Sequence, residues 1–116
     1  MHIPVEEYDE AWEHLEKRMY DIKYFYGTKD EKVSCSSHKS KLFASVVKYK
    51  STKGIFCGHD HVNDFSVEYE GVRLTYGQGI DCILYAKNLL EHKGGTVLNV
   101  NPDGTFAVKG IKIRRK

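Results

Sequence analysis

The hydrophobic pattern of this chain changes period near residue 53, and that change orders its secondary structure. Before it, Val5, Tyr8, Trp12, Leu15, Met19 and Ile22 recur at steps of three and four, which places them on one helix face. Glu6, Glu7, Asp9 and Glu10 crowd the first turns and Lys17 and Arg18 come later, as the helix dipole favours. Pro4 suits a first turn, where its missing N–H costs nothing. The spacing therefore predicts a first helix reaching about Ile22. The aromatic group Tyr20, Tyr24, Phe25 and Tyr26 then runs into Gly27, and with no basic groove beside it core packing is the expected role. Residues 27–39 are polar and read as a loop. Leu42, Phe43, Val46 and Val47 form the apolar stripe of a shorter helix over about 40–49.

After residue 53 the apolar residues gather in short runs. Gly54-Ile55-Phe56-Cys57 reads as a buried strand that stops at Gly58. Ser66–Tyr69 and Val72–Tyr76 alternate in the period of a strand, with Glu70-Gly71 as the hairpin turn. Thr96–Val100 and Thr105–Val108 flank Pro102-Asp103-Gly104, a second hairpin signal, and Lys109–Lys116 alternates as an edge strand would. Residues 81–91 are ambiguous between a helix and an irregular excursion. Two helices followed by mostly antiparallel strands give an α/β or α+β class. The 116 residues, 41% of them hydrophobic, support a single domain over 1–116.

Composition removes several functions. Lys and Arg total 18 against 16 Asp and Glu, a net +2 that gives no electrostatic case for nucleic acid. The apolar runs are far shorter than the roughly 20 residues of a membrane span, so no membrane partner is expected. Cys35, Cys57 and Cys82 lack C-x-x-C spacing, which suits three free thiols in a reducing compartment; with no basic-then-apolar start, the cytoplasm is the favoured location.

The chemistry concentrates in Gly58-His59-Asp60-His61-Val62-Asn63-Asp64, directly after the apolar strand. Glycine allows a sharp backbone turn there. Two imidazoles one residue apart at a strand's carboxyl end can meet one metal or splay to two, and Zn, Mn, Fe or Ni suit such nitrogens. Asp60, Asn63 and Asp64 are candidates to orient the rings. A bare His-x-His is a weak signal, more often solvated than ligating; the longer string is more specific.

At these residues the sequence resembles the calcineurin-like metallophosphoesterase superfamily, in its purple-acid-phosphatase-related branch. The string Gly54–Phe65 carries the family's Gly-His-x-His motif, and His2-Ile3-Pro4 with Glu6-Glu7-Tyr8 is similar to the branch's His-x-Pro-x-x-Glu-Tyr segment. Gly71–Gly77 matches the strand that follows, so the resemblance spans most of residues 2–77 and, more loosely, 94–100. It implies the C-terminal half of a four-layer α/β/β/α sandwich. It also implies a dinuclear centre of Zn, Mn or Fe, with His2 and His59 on one ion and His61 on the other, acting on a phosphorylated substrate as a Ser/Thr-phosphatase-like phosphomonoesterase. No Gly-Asp or Gly-Asn dipeptide occurs, so the family's bridging Asp, its Asn ligand and its proton-donating His are absent.

Three histidines bring no negative charge, so two nearby divalent ions would repel. One ion is feasible from these residues and a complete pair is not. The expected function is thus a metal-dependent phosphoesterase fragment, inactive or very weak alone; the alternatives are a degenerate module that binds one metal or a protein partner, and a small interaction domain with a coincidental His pair. Half a sandwich would leave Trp12, Phe43 and Phe56 incompletely covered and open to self-association. His14, His38 and His92 are expected at the surface.

Overall fold

The computed structural model describes residues 1–80 and 93–113. The element order is α1 (Glu7–Glu16), β1 (Ile22–Tyr26), α2 (Leu42–Tyr49), β2 (Gly54–Cys57), β3 (Ser66–Tyr69), β4 (Val72–Tyr76), β5 (Gly94–Val100) and β6 (Phe106–Lys112). The architecture is α/β. A four-stranded sheet runs in the order β1-β3-β4-β2, and β5 and β6 form a two-stranded ribbon. Within the larger sheet β3 is antiparallel to both β1 and β4, whereas β2 is parallel to β4. The readings for residues 81–91, His92, Cys82 and the tail beyond 113 fall outside the described residues.

The first helix is shorter than its apolar spacing predicts. Arg18 takes a φ of 53°, the Arg18 N–H donates to the Leu15 carbonyl and the Met19 N–H to the His14 carbonyl. These are the two bonds of a Schellman stop, with arginine where glycine is usual. Met19 is consequently exposed, and Ile22 belongs to β1 rather than to the helix. Tyr24, Phe25 and Tyr26 thus lie in an edge strand, in which Ile22, Lys23 and Tyr24 pair with Tyr69, Glu68 and Val67, and Tyr20, Tyr24 and Phe25 are exposed rather than packed in the core as their type suggests.

The second helix and the first hairpin follow their patterns. Glu70 and Gly71 have φ of 50° and 80°, both positive as a two-residue type I′ turn requires. In the second ribbon, β6 runs unbroken from Phe106 to Lys112, so the expected edge strand at 109 onward continues the strand before it.

The core lies on one face of the larger sheet. Val72, Leu74 and Tyr76 alternate inward to meet Tyr8, Ala11, Phe65 and Val67. The Tyr8 ring packs edge-on to Tyr76 with centroids 5.0 Å apart. Its hydroxyl donates to the Ile55 carbonyl at 2.8 Å and accepts the Thr75 N–H at 3.2 Å, joining β2 to β4 inside the core. Such a satisfied hydroxyl avoids the penalty of an unpaired buried polar group. Phe43 stacks on Tyr69 at 5.7 Å and is only 3% exposed, contrary to the expectation of incomplete cover, while Trp12 and Phe56 are half-buried. Among the described residues no helix is long and apolar enough to cross a membrane.

Candidate functional site

The histidine loop begins where β2 ends, and the amino terminus runs beside that strand. The Met1 ammonium donates to the Phe56 carbonyl at 2.9 Å, and the Gly58 N–H donates to the His2 carbonyl at 3.1 Å. These bonds bring His2 to His59, with ring centroids 5.1 Å apart and planes at 75°. Both residues are exposed, and His61 is half-buried two residues along the same loop.

The sharp turn falls on His59, not on Gly58 as the sequence suggests. His59 has a φ of 72°, and the Asp60 N–H closes back on the Gly58 carbonyl at 2.9 Å. A three-residue turn with this φ is rare and strained for a residue with a Cβ. A Cβ on Gly58 would meet only the His2 Nδ1 at 3.9 Å, an ordinary contact.

The polar residues of the loop hold the chain. Asp60 Oδ2 accepts the Tyr76 hydroxyl at 2.6 Å and the Ser34 N–H at 3.0 Å. Asn63 Oδ1 accepts the N–H groups of Asp30 and Glu31 at 2.9 and 3.0 Å. Asp64 Oδ1 accepts the Thr28 N–H at 2.8 Å, and its Oδ2 lies 3.6 Å from Lys112 Nζ. The Glu31 carboxylate in turn accepts the Val62 N–H at 3.0 Å. Asp60, Asn63 and Asp64, expected to orient the imidazoles, thus staple residues 28–34 onto the histidine loop. The sequence missed Tyr76, Glu31 and Lys112, because contacts between residues far apart in the chain, to a carboxylate or to a backbone amide, leave no spacing signature.

Burial decides the ionisation here. It raises the pKa of the Tyr76 hydroxyl well above its ordinary value, and the bond to Asp60 adds to the effect. Burial also pushes the Cys57 thiol up to about 12, so at neutral pH it is a thiol and not a thiolate ligand. Among the described residues no cluster of three or more His, Cys, Asp or Glu side chains is placed to hold a metal ion. Elsewhere, His14 is half-buried rather than at the surface: its Nδ1 lies 2.8 Å from Asp21 Oδ2 and its ring meets Tyr69 edge-on. His38 is exposed as expected.

Among curated proteins, the chain is 38% identical over 90 residues to "Probable inactive purple acid phosphatase 29" of Arabidopsis thaliana, covering 74% of this chain and 23% of that protein. It is 35% identical over 112 residues to "Probable inactive purple acid phosphatase 28" of the same plant, covering 97% of this chain and 26% of that one. A shorter match, 40% over 53 residues, falls on "Probable inactive purple acid phosphatase 14". The chain spans about a quarter of the length of the first two relatives. No protein-family profile and no solved structure matches it. Its curated homologues are purple-acid-phosphatase-like proteins, which makes this chain a relative of that family within the calcineurin-like metallophosphoesterase superfamily.

Proposed function

We propose that this chain is a segment of a metal-dependent phosphoesterase-type fold that holds a single divalent cation and does not by itself turn over phosphomonoesters. The observation that carries the reading is the pairing of His2 with His59. Two imidazoles on one tetrahedral ion, with metal–nitrogen bonds of about 2.1 Å, set their ring centroids about 5 Å apart. The observed separation is 5.1 Å. Neutral imidazoles suit Zn, Mn or Fe, and His61 is the third candidate ligand on the same loop. A bound ion of this kind supplies Lewis-acid polarisation of a phosphoryl oxygen.

The donor set does not fit a dinuclear centre. His2, His59 and His61 contribute no negative charge, and the loop's Asp60 and Asp64 are engaged with Tyr76, Ser34, Thr28 and Lys112. Two cations a few ångströms apart without a bridging carboxylate repel strongly. The relatives' own names carry the word "inactive", which accords with this reading.

Calorimetric titration of the chain with Zn²⁺ and with Mn²⁺ tests it, alongside p-nitrophenyl phosphate turnover. One ion is expected to bind, His2→Ala and His59→Ala each to weaken it about tenfold or more, and turnover to stay near the metal-only background. Affinity unchanged by both substitutions, or two bound ions with enzyme-like turnover, overturns the reading.

A further inference from the structure

The face of the larger sheet turned away from Tyr8 and Leu74 carries a buried cation that the histidine corner does not use. Arg73 is 9% exposed, with its Cζ 3.4 Å above the Phe25 ring. Its Nε donates to Ser66 Oγ at 2.7 Å, and that hydroxyl bonds Thr75 Oγ1 at 2.7 Å. The guanidinium plane is therefore fixed from beneath and along one edge. Among the described residues no carboxylate forms an ion pair with it. Burial lowers its pKa, yet a guanidinium keeps its proton at any ordinary pH. A buried charge held in one orientation, attracted by Glu68 but with no carboxylate closing on its fork among the described residues, has the chemistry of an oxyanion receptor.

The space in front of it is a cavity of about 360 Å³, lined by Phe25, Lys53, Glu68, Arg73, Asp103 and Phe106 among others. Its volume is that of a small-molecule site. Phe25 and Phe106 give apolar walls. Glu68 is the cross-strand neighbour of Arg73, and Asp103 is held by the Thr105 N–H and hydroxyl at 3.0 and 2.6 Å. Glu68 and Asp103 offset the charges of Arg73 and Lys53 in the lining, so the cavity is near neutral overall and favours a singly charged anion on the Arg73 fork over a multiply charged one such as phosphate.

We propose that this cavity binds a small aromatic monocarboxylate, its carboxylate forked on Arg73 and its ring against Phe106. The site shares no residue with the His2–His59 corner and requires no metal.

Nitrogen-15 NMR of the full 116-residue chain, titrated with benzoate and separately with inorganic phosphate, tests the proposal. Benzoate is expected to move the Arg73 Nε–H signal and the Gly71 and Gly104 amides saturably, and phosphate to do so at least tenfold more weakly. Arg73→Lys keeps the charge, loses the fork, and should weaken benzoate at least tenfold; Phe106→Leu, at a half-buried position outside the core, should weaken it severalfold without loss of fold. Glu68→Gln should tighten it. Benzoate that leaves the Arg73 signal in place while Glu68→Gln shifts it would show that Glu68 satisfies the guanidinium, and the proposal would fail. Equal benzoate affinity in the Phe106→Leu chain would overturn it too.

Discussion

The Tyr76 hydroxyl donates a 2.6 Å hydrogen bond to Asp60 Oδ2, and this bond ties the end of β4 to the residue between His59 and His61. Both side chains are buried. Removing the hydroxyl in Tyr76→Phe leaves Asp60 with the Ser34 amide as its remaining donor. The expected loss is about 1–3 kcal/mol in urea unfolding, with cation affinity at His59 reduced although no histidine has changed. Unchanged stability and affinity would show that the bond carries nothing.

Asn63 offers a cleaner test of the loop staple. Its Oδ1 accepts two amides, those of Asp30 and Glu31. Asn63→Ala strands both donors and should cost about 2–3 kcal/mol. Asn63→Asp keeps the acceptor but adds a buried charge beside Asp60 and Asp64, so it should lose markedly less than Asn63→Ala only in acid, where the new carboxyl is neutral. Equal losses in the two variants in acid, measured by urea unfolding, would place the effect in packing rather than in the amide bonds.

Gly27 sits where the loop meets the start of β3. Its φ is 88°, and a Cβ there would stand 2.3 Å from the Asp64 carbonyl oxygen and 2.5 Å from the Phe65 Cα. Neither atom belongs to a side chain that can swing aside. Gly27→Ala should therefore destabilise the chain by about 3 kcal/mol or more, seen as a fall in melting temperature and lost dispersion of the Asp64 amide signal.

Much of this fold was legible where periodicity is local. The stripe Leu42, Phe43, Val46, Val47 marks α2, and the alternation around Glu70-Gly71 marks the β3–β4 hairpin. Legibility failed at two left-handed residues that are not glycine. Arg18 and His59 both have positive φ, so the early stop of α1 carries no glycine signal and the turn of the histidine loop falls one residue past the glycine that suggests it. β1 was hidden for a second reason: its pairing with β3 joins Ile22 to Tyr69 across the length of both loops. The site divides the same way. The histidines stand out by residue type, but Asn63 finds its partners in backbone amides, which every sequence contains, and Asp60 in an amide and a tyrosine hydroxyl distant in the chain.

Titration at high pH reports on the core beside the site. Burial pushes the Cys57 thiol up to about 12 and the Tyr69 hydroxyl to about 12 as well. An unfolded thiol titrates near about 8.5 and an unfolded tyrosine near about 10. Between those values and 12 the folded chain retains protons that the unfolded chain has lost, so stability present below about pH 8.5 is lost as pH rises. Urea midpoints should fall steadily from about pH 9 upward, and Cys57→Ala should flatten the earlier part of that fall. A midpoint constant to about pH 10.5 would contradict the buried neutral thiol.

His59 separates strain from ligation. Its φ of 72° is unfavourable for any residue with a Cβ by about 1–2 kcal/mol, and glycine escapes most of that penalty while gaining backbone freedom in the unfolded chain. His59→Gly should therefore be more stable than His59→Ala by about 1 kcal/mol in urea unfolding. Both variants lack the imidazole that faces His2, so both should lose cation affinity to the same extent. A glycine variant no more stable than the alanine one would mean that the turn relaxes once the ring is gone. A glycine variant that still binds the ion like the parent would remove His59 from the ligand set.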